Sequence, residues 1–391
     1  MKPFAAIALV LTAISPLRAA EFSGSFYSGT YVGNISTRCA GISYNDPQTI
    51  TVSPDGYVSL VYCRQGTTTT GKVSATDGSV SGLSITINSA SKGKVQIPYT
   101  ASIVGNKLTA TGKVGEFQSN FSATLSEAWV GSDGTRAGFI RVDGGTLPKG
   151  SGLAGKTVQG FQIGKFEVTW SEWKLVRDWA IQNGYKFDSK PAGSGPTHPV
   201  RRVSWYNALK WCNAKSERER LTPLYLASGK VFREGDFGND TKRITVRKGV
   251  QGYRLPLEAE WEWAARGGSY SKNFLYSGGN TLGAVAWFEG NSLTKTIPLD
   301  EGHGTWPVGM KRANELGIFD MSGNVSERCW ETDPAGKQGN RVRGGSFSIG
   351  GNSSLWKEES KYFLLSGRGD YDLPDFNEFP DDYGFRVVFA P

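Results

Sequence analysis

The stretch YRLPLEAEWEWAARGG, Tyr253 to Gly268, decides how the second half of the chain is read. It predicts a helix after Arg254-Leu255-Pro256, ended by Gly267. Glu258 falls in the first turn, where a carboxylate suits the helix dipole. Glu260 and Glu262 fall on different faces and make no catalytic pair. Upstream, TWSEWKLVRDWAIQNGY predicts another helix. Thr169 is its N-cap, Glu172 completes a capping box and Gly184 serves as C-cap. Trp173, Val176 and Ala180 share one face of it. A further helix begins at Ser204, with Trp205, Ala208, Leu209 and Cys212 at i, i+3, i+4 and i+7, which puts Cys212 on the buried face. GFIRVDGG and FQIGKFEV read as strands, and residues 221–251 as an inserted hairpin or loop. Beyond Gly268 helical periodicity is mostly lost.

Residues 21–128 have a different character. They are rich in Thr, Ser, Gly and Val, and alternating runs such as YVSLVY and KLTATGKV are separated by PDG, TDG and VGN turns. That pattern predicts an antiparallel meander, closed into a barrel or folded as a small sandwich. No cluster there carries chemistry, which leaves binding, attachment or packing as its role. The character changes near Glu127–Phe139.

The chain has 391 residues, and Lys plus Arg exceed Asp plus Glu by eight. The excess is scattered, and its densest run, Thr241–Lys248, alternates with apolar residues as an exposed strand would. No nucleic-acid partner is expected. Residues 1–20 follow a secretory leader pattern: Lys2, an apolar run from Phe4 to Ile14, then small residues at Ala19 and Ala20. Arg18 makes the cleavage site imperfect, so a retained anchor stays open as an alternative. A secreted or periplasmic, cell-envelope location is expected, with no membrane span after leader removal. Four cysteines in an exported chain permit two disulfides, Cys39 with Cys63 and Cys212 with Cys329. Two buried free thiols are the alternative for the second pair.

Eight ordered phrases, among them VDGGTLPKG (142–150), HPVRRVSWYNALKWC (198–212), YRLPLEAEWEWAARGG, NELGIFDMSGNVSE (314–327), RVRGGSF (341–347) and GFRVV (384–388), resemble the formylglycine-generating enzyme, or sulfatase-modifying factor, family. The resemblance covers the C-terminal two-thirds. It implies a compact α+β domain related to C-type lectins over residues 135–391, behind the all-β domain of 21–128. In this family some members oxidise a sulfatase cysteine with copper held by two Cys, others hold iron with three His, and others only bind or have no assigned activity.

Neither metal chemistry finds its ligands. The copper positions correspond to Ile349 and Ser354, and soft copper wants thiolates. The chain has two histidines, His198 and His303, too few for the iron site. No G-x-S-x-G elbow supports a serine nucleophile. The resemblance does imply a structural calcium loop in IFDMSGNVSE, with Asp320, the carbonyls of Gly323 and Val325, and Glu327 as hard oxygen ligands. Ordinary hydrogen bonds from Asn324 and Glu327 are the alternative. Leu257 stands where the family has an N-capping Thr, and Ser326 and Arg328 where it has Trp.

The segment Arg368–Phe385 is acidic and aromatic and corresponds to loops that face the ligand groove in the family. Asp370, Asp372, Asp375, Phe376, Asp381, Asp382 and Tyr383 are its candidate ligand residues, suited to a basic peptide or a sugar. The expected cofactor is calcium, with no copper, haem or nucleotide. The leading expectation is a binding module for a protein, peptide or glycan. A side-chain-modifying oxidase with an unrecognised site, or an envelope assembly protein, stay open.

Overall fold

The computed structural model describes residues 29–390 except 40–41, 54–56, 62–67, 75–77, 90–92, 105–106, 116, 129, 131, 189, 239, 294–303, 333–337, 351–359 and 368–379. The leader-like residues 1–20, Cys63, His303 and Ser354 lie outside the described residues. So do Asp370, Asp372, Asp375 and Phe376.

Among the described residues nine strands come first: β1 (Gly29–Cys39), β2 (Ile42–Val52), β3 (Tyr57–Val61), β4 (Thr68–Val73), β5 (Ser79–Ser81), β6 (Ser84–Ser89), β7 (Gly93–Val104), β8 (Lys107–Val114) and β9 (Phe117–Ala128). All pairings are antiparallel between neighbours, β1 also pairs β9, and β5 pairs β7, so the meander closes into a ring. Alternation drives closure. Along β8, Leu108, Ala110 and Gly112 are buried while Lys107, Thr109, Thr111 and Lys113 face outward. Gly112 has no room for a side chain, since a Cβ would lie 2.8 Å from both Ile97 Cγ2 and Pro98 O. Tyr31, Ile50, Val58, Ile97, Phe121 and Leu125 fill the interior.

The second part is α+β. Strands β10 (Phe139–Val142), β11 (Gly145–Thr146), β12 (Thr157–Val158) and β13 (Phe161–Gly164) lead into α1 (Trp170–Gln182) and α2 (Trp205–Arg218). The inserted stretch forms β14 (Tyr225–Ala227), β15 (Lys230–Val231) and β16 (Ile244–Val246), a small three-stranded sheet. Then come β17 (Gly252–Arg254), α3 (Glu258–Ala265), α4 (Leu282–Val285), β18 (Ser326–Thr332), β19 (Gln338–Arg343), β20 (Tyr383–Gly384) and β21 (Val388–Ala390). The main sheet runs β10-β13-β21-β17.

The caps fall where the sequence puts them, with differences. Thr169 accepts the Glu172 amide at 3.2 Å, but the Glu172 carboxylate turns to Lys215, 3.2 Å away, so half the expected box forms. Asn183 is the α1 C-cap, and Gly184 follows with φ 82°. Ser204 caps α2 by accepting the Asn207 amide at 3.1 Å. At α3, Glu260 Oε2 accepts the Leu257 amide at 2.8 Å while Leu257 itself supplies no cap and stays 40% exposed. Indoles dominate the core: Trp173 and Trp211 stack with centroids 6.2 Å apart, and Trp211 Nε1 donates to Trp173 O.

The two parts share structure. Leu175 of α1 is buried within the barrel's own apolar cluster. Beside it lies an ionic network. Glu219 binds Lys215 at 2.9 Å, Arg136 at 2.7 Å and the Tyr253 hydroxyl at 2.6 Å, while the barrel's Tyr31 hydrogen-bonds Arg218. Among the described residues no helix is long and apolar enough to cross a membrane.

The expected Cys212–Cys329 disulfide is corrected: both thiols are free and buried. Cys212 packs with the α1–α2 tryptophans and Cys329 with Trp261 and Ile318, in separate apolar clusters. Burial drives both thiols well above their ordinary pKa. Cys39 ends β1, and its expected partner Cys63 is outside the described residues.

Candidate functional site

The site is built on the loop that leaves β19. Arg343 is the strand's last residue, and Gly344 and Gly345 follow at φ 96° and 70°, a left-handed pair that turns the chain sharply. Arg343 is held beneath by α3: its guanidinium pairs with Glu258 and Glu262, both at 3.0 Å, donates to Leu365 O at 2.8 Å, and lies 5.1 Å from the Trp261 ring centroid. The two glutamates one helical turn apart thus have a partner that their own periodicity does not reveal. Phe347 N donates to Asn324 O, and Gly323 N to Gly344 O, so the glycine loop is stitched to the loop carrying Asp320–Glu327.

That second loop centres on Asn324, at φ 65°. Its Nδ2 donates to Glu167 Oε2 at 2.8 Å, its Oδ1 accepts Trp306 N, and Val325 N donates to Glu167 Oε1 at 3.1 Å. Glu167 is a central residue the sequence reading missed; its place just before the Thr169 cap gave no signal. Burial, then the Asp320 and Glu327 charges, push its pKa well above the ordinary value. Burial likewise raises Asp320 to about 6.

The residues do not fit the expected calcium cage. Glu327 spends both oxygens: Oε2 accepts Arg386 Nε at 2.7 Å and Trp261 Nε1 at 2.7 Å, and Oε1 accepts Arg386 Nη2 at 2.6 Å. Arg386 also donates to Gly164 O and Phe319 O. Asp320, at φ 57°, accepts the Gly309 amide through Oδ2 at 2.7 Å, while Oδ1 is buried without a partner. The Arg386 guanidinium thus occupies both Glu327 oxygens, and Asn324 and Glu327 make ordinary hydrogen bonds. Among the described residues, no group of three or more His, Cys, Asp or Glu could hold a metal ion.

Of the two expected copper positions, Ile349 is described and packs against Leu282, Val285, Ala286 and Phe363. His198 is half-buried, with Nδ1 3.1 Å from Thr305 Oγ1, and burial lowers its pKa. It has no carboxylate partner in that chain of contacts, which runs on to Ser194.

The described end of the acidic loop closes onto the same place. Asp382 Oδ2 accepts the Ser346 and Ser348 hydroxyls at 2.5 and 2.7 Å. Asp381 lies 3.1 Å from Arg202 Nε and 3.7 Å from Arg201 Nη1. Tyr383 is buried in β20, which pairs parallel with β18, and Arg328 sits 5.2 Å from its ring centroid. These three expected ligand residues are therefore engaged within the fold. At Tyr383 lies a small recess of about 10 Å³, roughly the space of one water, lined among others by Ser326, Arg343, Gly344, Gly345, Ile349 and Tyr383.

Comparison with known proteins agrees with this architecture. A "Chaperone protein LppX" from Paenibacillus barcinonensis is 43% identical over 247 residues, covering 59% of this chain and 81% of its own. A formylglycine-generating enzyme from Mycobacterium tuberculosis is 43% identical over 84 residues, so the match spans 21% of this chain and only 27% of that enzyme. The crystal structure of CarF superposes with a TM-score of 0.51 at 27% identity, over 65% of this chain and 98% of that one. The model of the sulfatase-modifying factor enzyme 1-like domain matches residues 129–391, and the chain belongs to that family.

Proposed function

We propose that this protein is an exported, non-catalytic polypeptide-binding module. One observation carries the reading. Where the copper oxidases of the family place a thiolate, Ile349 sits in an apolar cluster, and the two described free thiols, Cys212 and Cys329, are buried in different cores with their pKa values raised. A soft-metal oxidation centre needs thiolates brought together and exposed to substrate, and this arrangement supplies neither. The name of the Paenibacillus relative, a chaperone, supports polypeptide as the ligand. The leader pattern of residues 1–20 supports export. The barrel, joined to the second domain through Leu175, belongs to the same binding body.

The test is to refold a chemically denatured enzyme beside the purified chain and follow light scattering and recovered activity, while incubating a cysteine-containing sulfatase peptide with the chain, copper and oxygen. The reading expects suppressed aggregation and an unmodified peptide. Formylglycine in the peptide, or no effect on the unfolded client, sinks it.

A further inference from the structure

The barrel closes over only part of its height. Strand β4 pairs with β5 at Lys72↔Ser81 and Val73↔Val80, and β5 pairs with β7 at Ser79↔Ser102 and Val80↔Ala101. The chain then runs on as β6 along the same neighbour, with Ser84 opposite Pro98 and Ser89 opposite Gly93. Between the Val80↔Ala101 and Ser84↔Pro98 pairs, residues 81–83 stand opposite residues 99–100. That extra residue is a β-bulge, and Gly82 carries its left-handed backbone at φ 74°.

The bulge reverses which residues aim their backbone groups at β4. Before it, Ser79 O accepts the Ser74 amide at 2.7 Å, so alternation turns Thr68, Thr70 and Lys72 of β4 toward the β5–β6 side. After it, Leu83 O accepts the Tyr99 amide at 2.9 Å, so Leu83, Ile85 and Ile87 serve β7 and the N–H and C=O of Ser84, Thr86 and Asn88 point away from it. Pro98 fits this phase, since a residue without an N–H suits a pair that exchanges no hydrogen bonds. In the β4–β5 register Thr70 would meet Leu83 and Thr68 would meet Ile85, whose groups are already spent on β7. The ladder therefore stops. Among the described residues β6 pairs with β7 alone, and β4 above Lys72 pairs with β3 alone. Neither Ser84–Ser89 nor Thr68–Gly71 contains a charged residue or a proline, the devices that usually keep a strand edge from pairing. A row of backbone donors and acceptors repeating every second residue, about 6.7 Å, is matched by another extended backbone.

We propose that this seam takes an extended polypeptide segment as an added strand on β6, through the backbone groups of Ser84, Thr86 and Asn88. The proposal rests on the polypeptide-binding reading and names where the client is held and in what conformation.

Titration calorimetry on the full chain tests it with acetyl-Lys-Thr-Val-Thr-Val-Thr-Lys-amide and with the same peptide carrying proline in place of both valines. The valine peptide is expected to bind about tenfold or more tighter, with little dependence on salt. Thr86→Pro removes one outward N–H at an edge position that tolerates proline, so Tm should hold and binding should fall about tenfold. Residue-resolved hydrogen exchange on the parent chain needs no variant: without peptide the Thr86 and Asn88 amides should exchange faster than those of Ile85 and Ile87, and the valine peptide should slow them. Equal binding of both peptides, unchanged exchange at Thr86 and Asn88, or a Thr86→Pro variant that folds and binds as before overturns the seam, while suppression of client aggregation by the parent leaves polypeptide binding standing. Protection of Thr86 and Asn88 that rises with protein concentration alone, alongside a dimer in sedimentation, assigns the edge to a second copy and overturns the proposal too.

Discussion

Arg386 grips Glu327 at two points, Nε to Oε2 at 2.7 Å and Nη2 to Oε1 at 2.6 Å, with both side chains buried. Removing one partner leaves an uncompensated charge in the core. Arg386→Met should therefore lose about 3–5 kcal/mol in urea denaturation. Because the guanidinium already serves Glu327, Tm should be the same in calcium and in chelator. A calcium-dependent rise would show that this loop rearranges to admit the ion.

Leu175 couples the two parts of the chain. It leaves helix α1 to enter the barrel's apolar cluster, where it is 6% exposed. Leu175→Ala should cost about 2–5 kcal/mol, the range for truncating a buried leucine. Hydrogen exchange should report the loss in barrel amides as well as in α1. Exchange that changes in α1 alone would show that the barrel does not depend on this contact.

Glu219 gives the fold a pH dependence. Burial opposes its charge, but Lys215, Arg136 and Arg218 overcome that and hold its pKa at about 2, below the ordinary 4.5. A depressed folded-state value means the unfolded chain takes up the proton first. The stabilisation is therefore full above about pH 4.5 and is lost as pH falls toward 2. Glu219→Gln should be less stable than the parent at pH 7, and the gap in urea midpoint should narrow across that window.

The thiols offer a direct check on the cores. Cys212 and Cys329 should resist a thiol reagent in the native protein and react in denaturant without prior reduction. A requirement for reductant would restore the disulfide.

Leu257 marks a stability reserve. It occupies the α3 N-cap position without a capping oxygen and is 40% exposed, so burial does not offset the missing cap. Leu257→Thr should stabilise by about 1 kcal/mol, read from the urea midpoint, since Glu260 already supplies the other half of the box.

The sequence by itself determined the local order. Period-two alternation with Asp-Gly and Gly-Asn turns set the meander, and apolar spacing with Thr169, Ser204 and Gly184 set two helices, because those signals act within a turn or a strand pair. It also placed Ile349 at a position where a thiolate was expected. Only the tertiary structure decided what long-range partners do. It closed the ring through β5 and β7, set Arg343 between Glu258 and Glu262, and paired Glu327 with Arg386, 59 residues away in sequence. It also turned the end of an acidic loop into an arginine-bound rim, through Arg201 and Arg202 on a segment 180 residues from Asp381. Charge pairing depends on which side chains the packed core brings within a few ångströms, and chain separation carries no record of that distance.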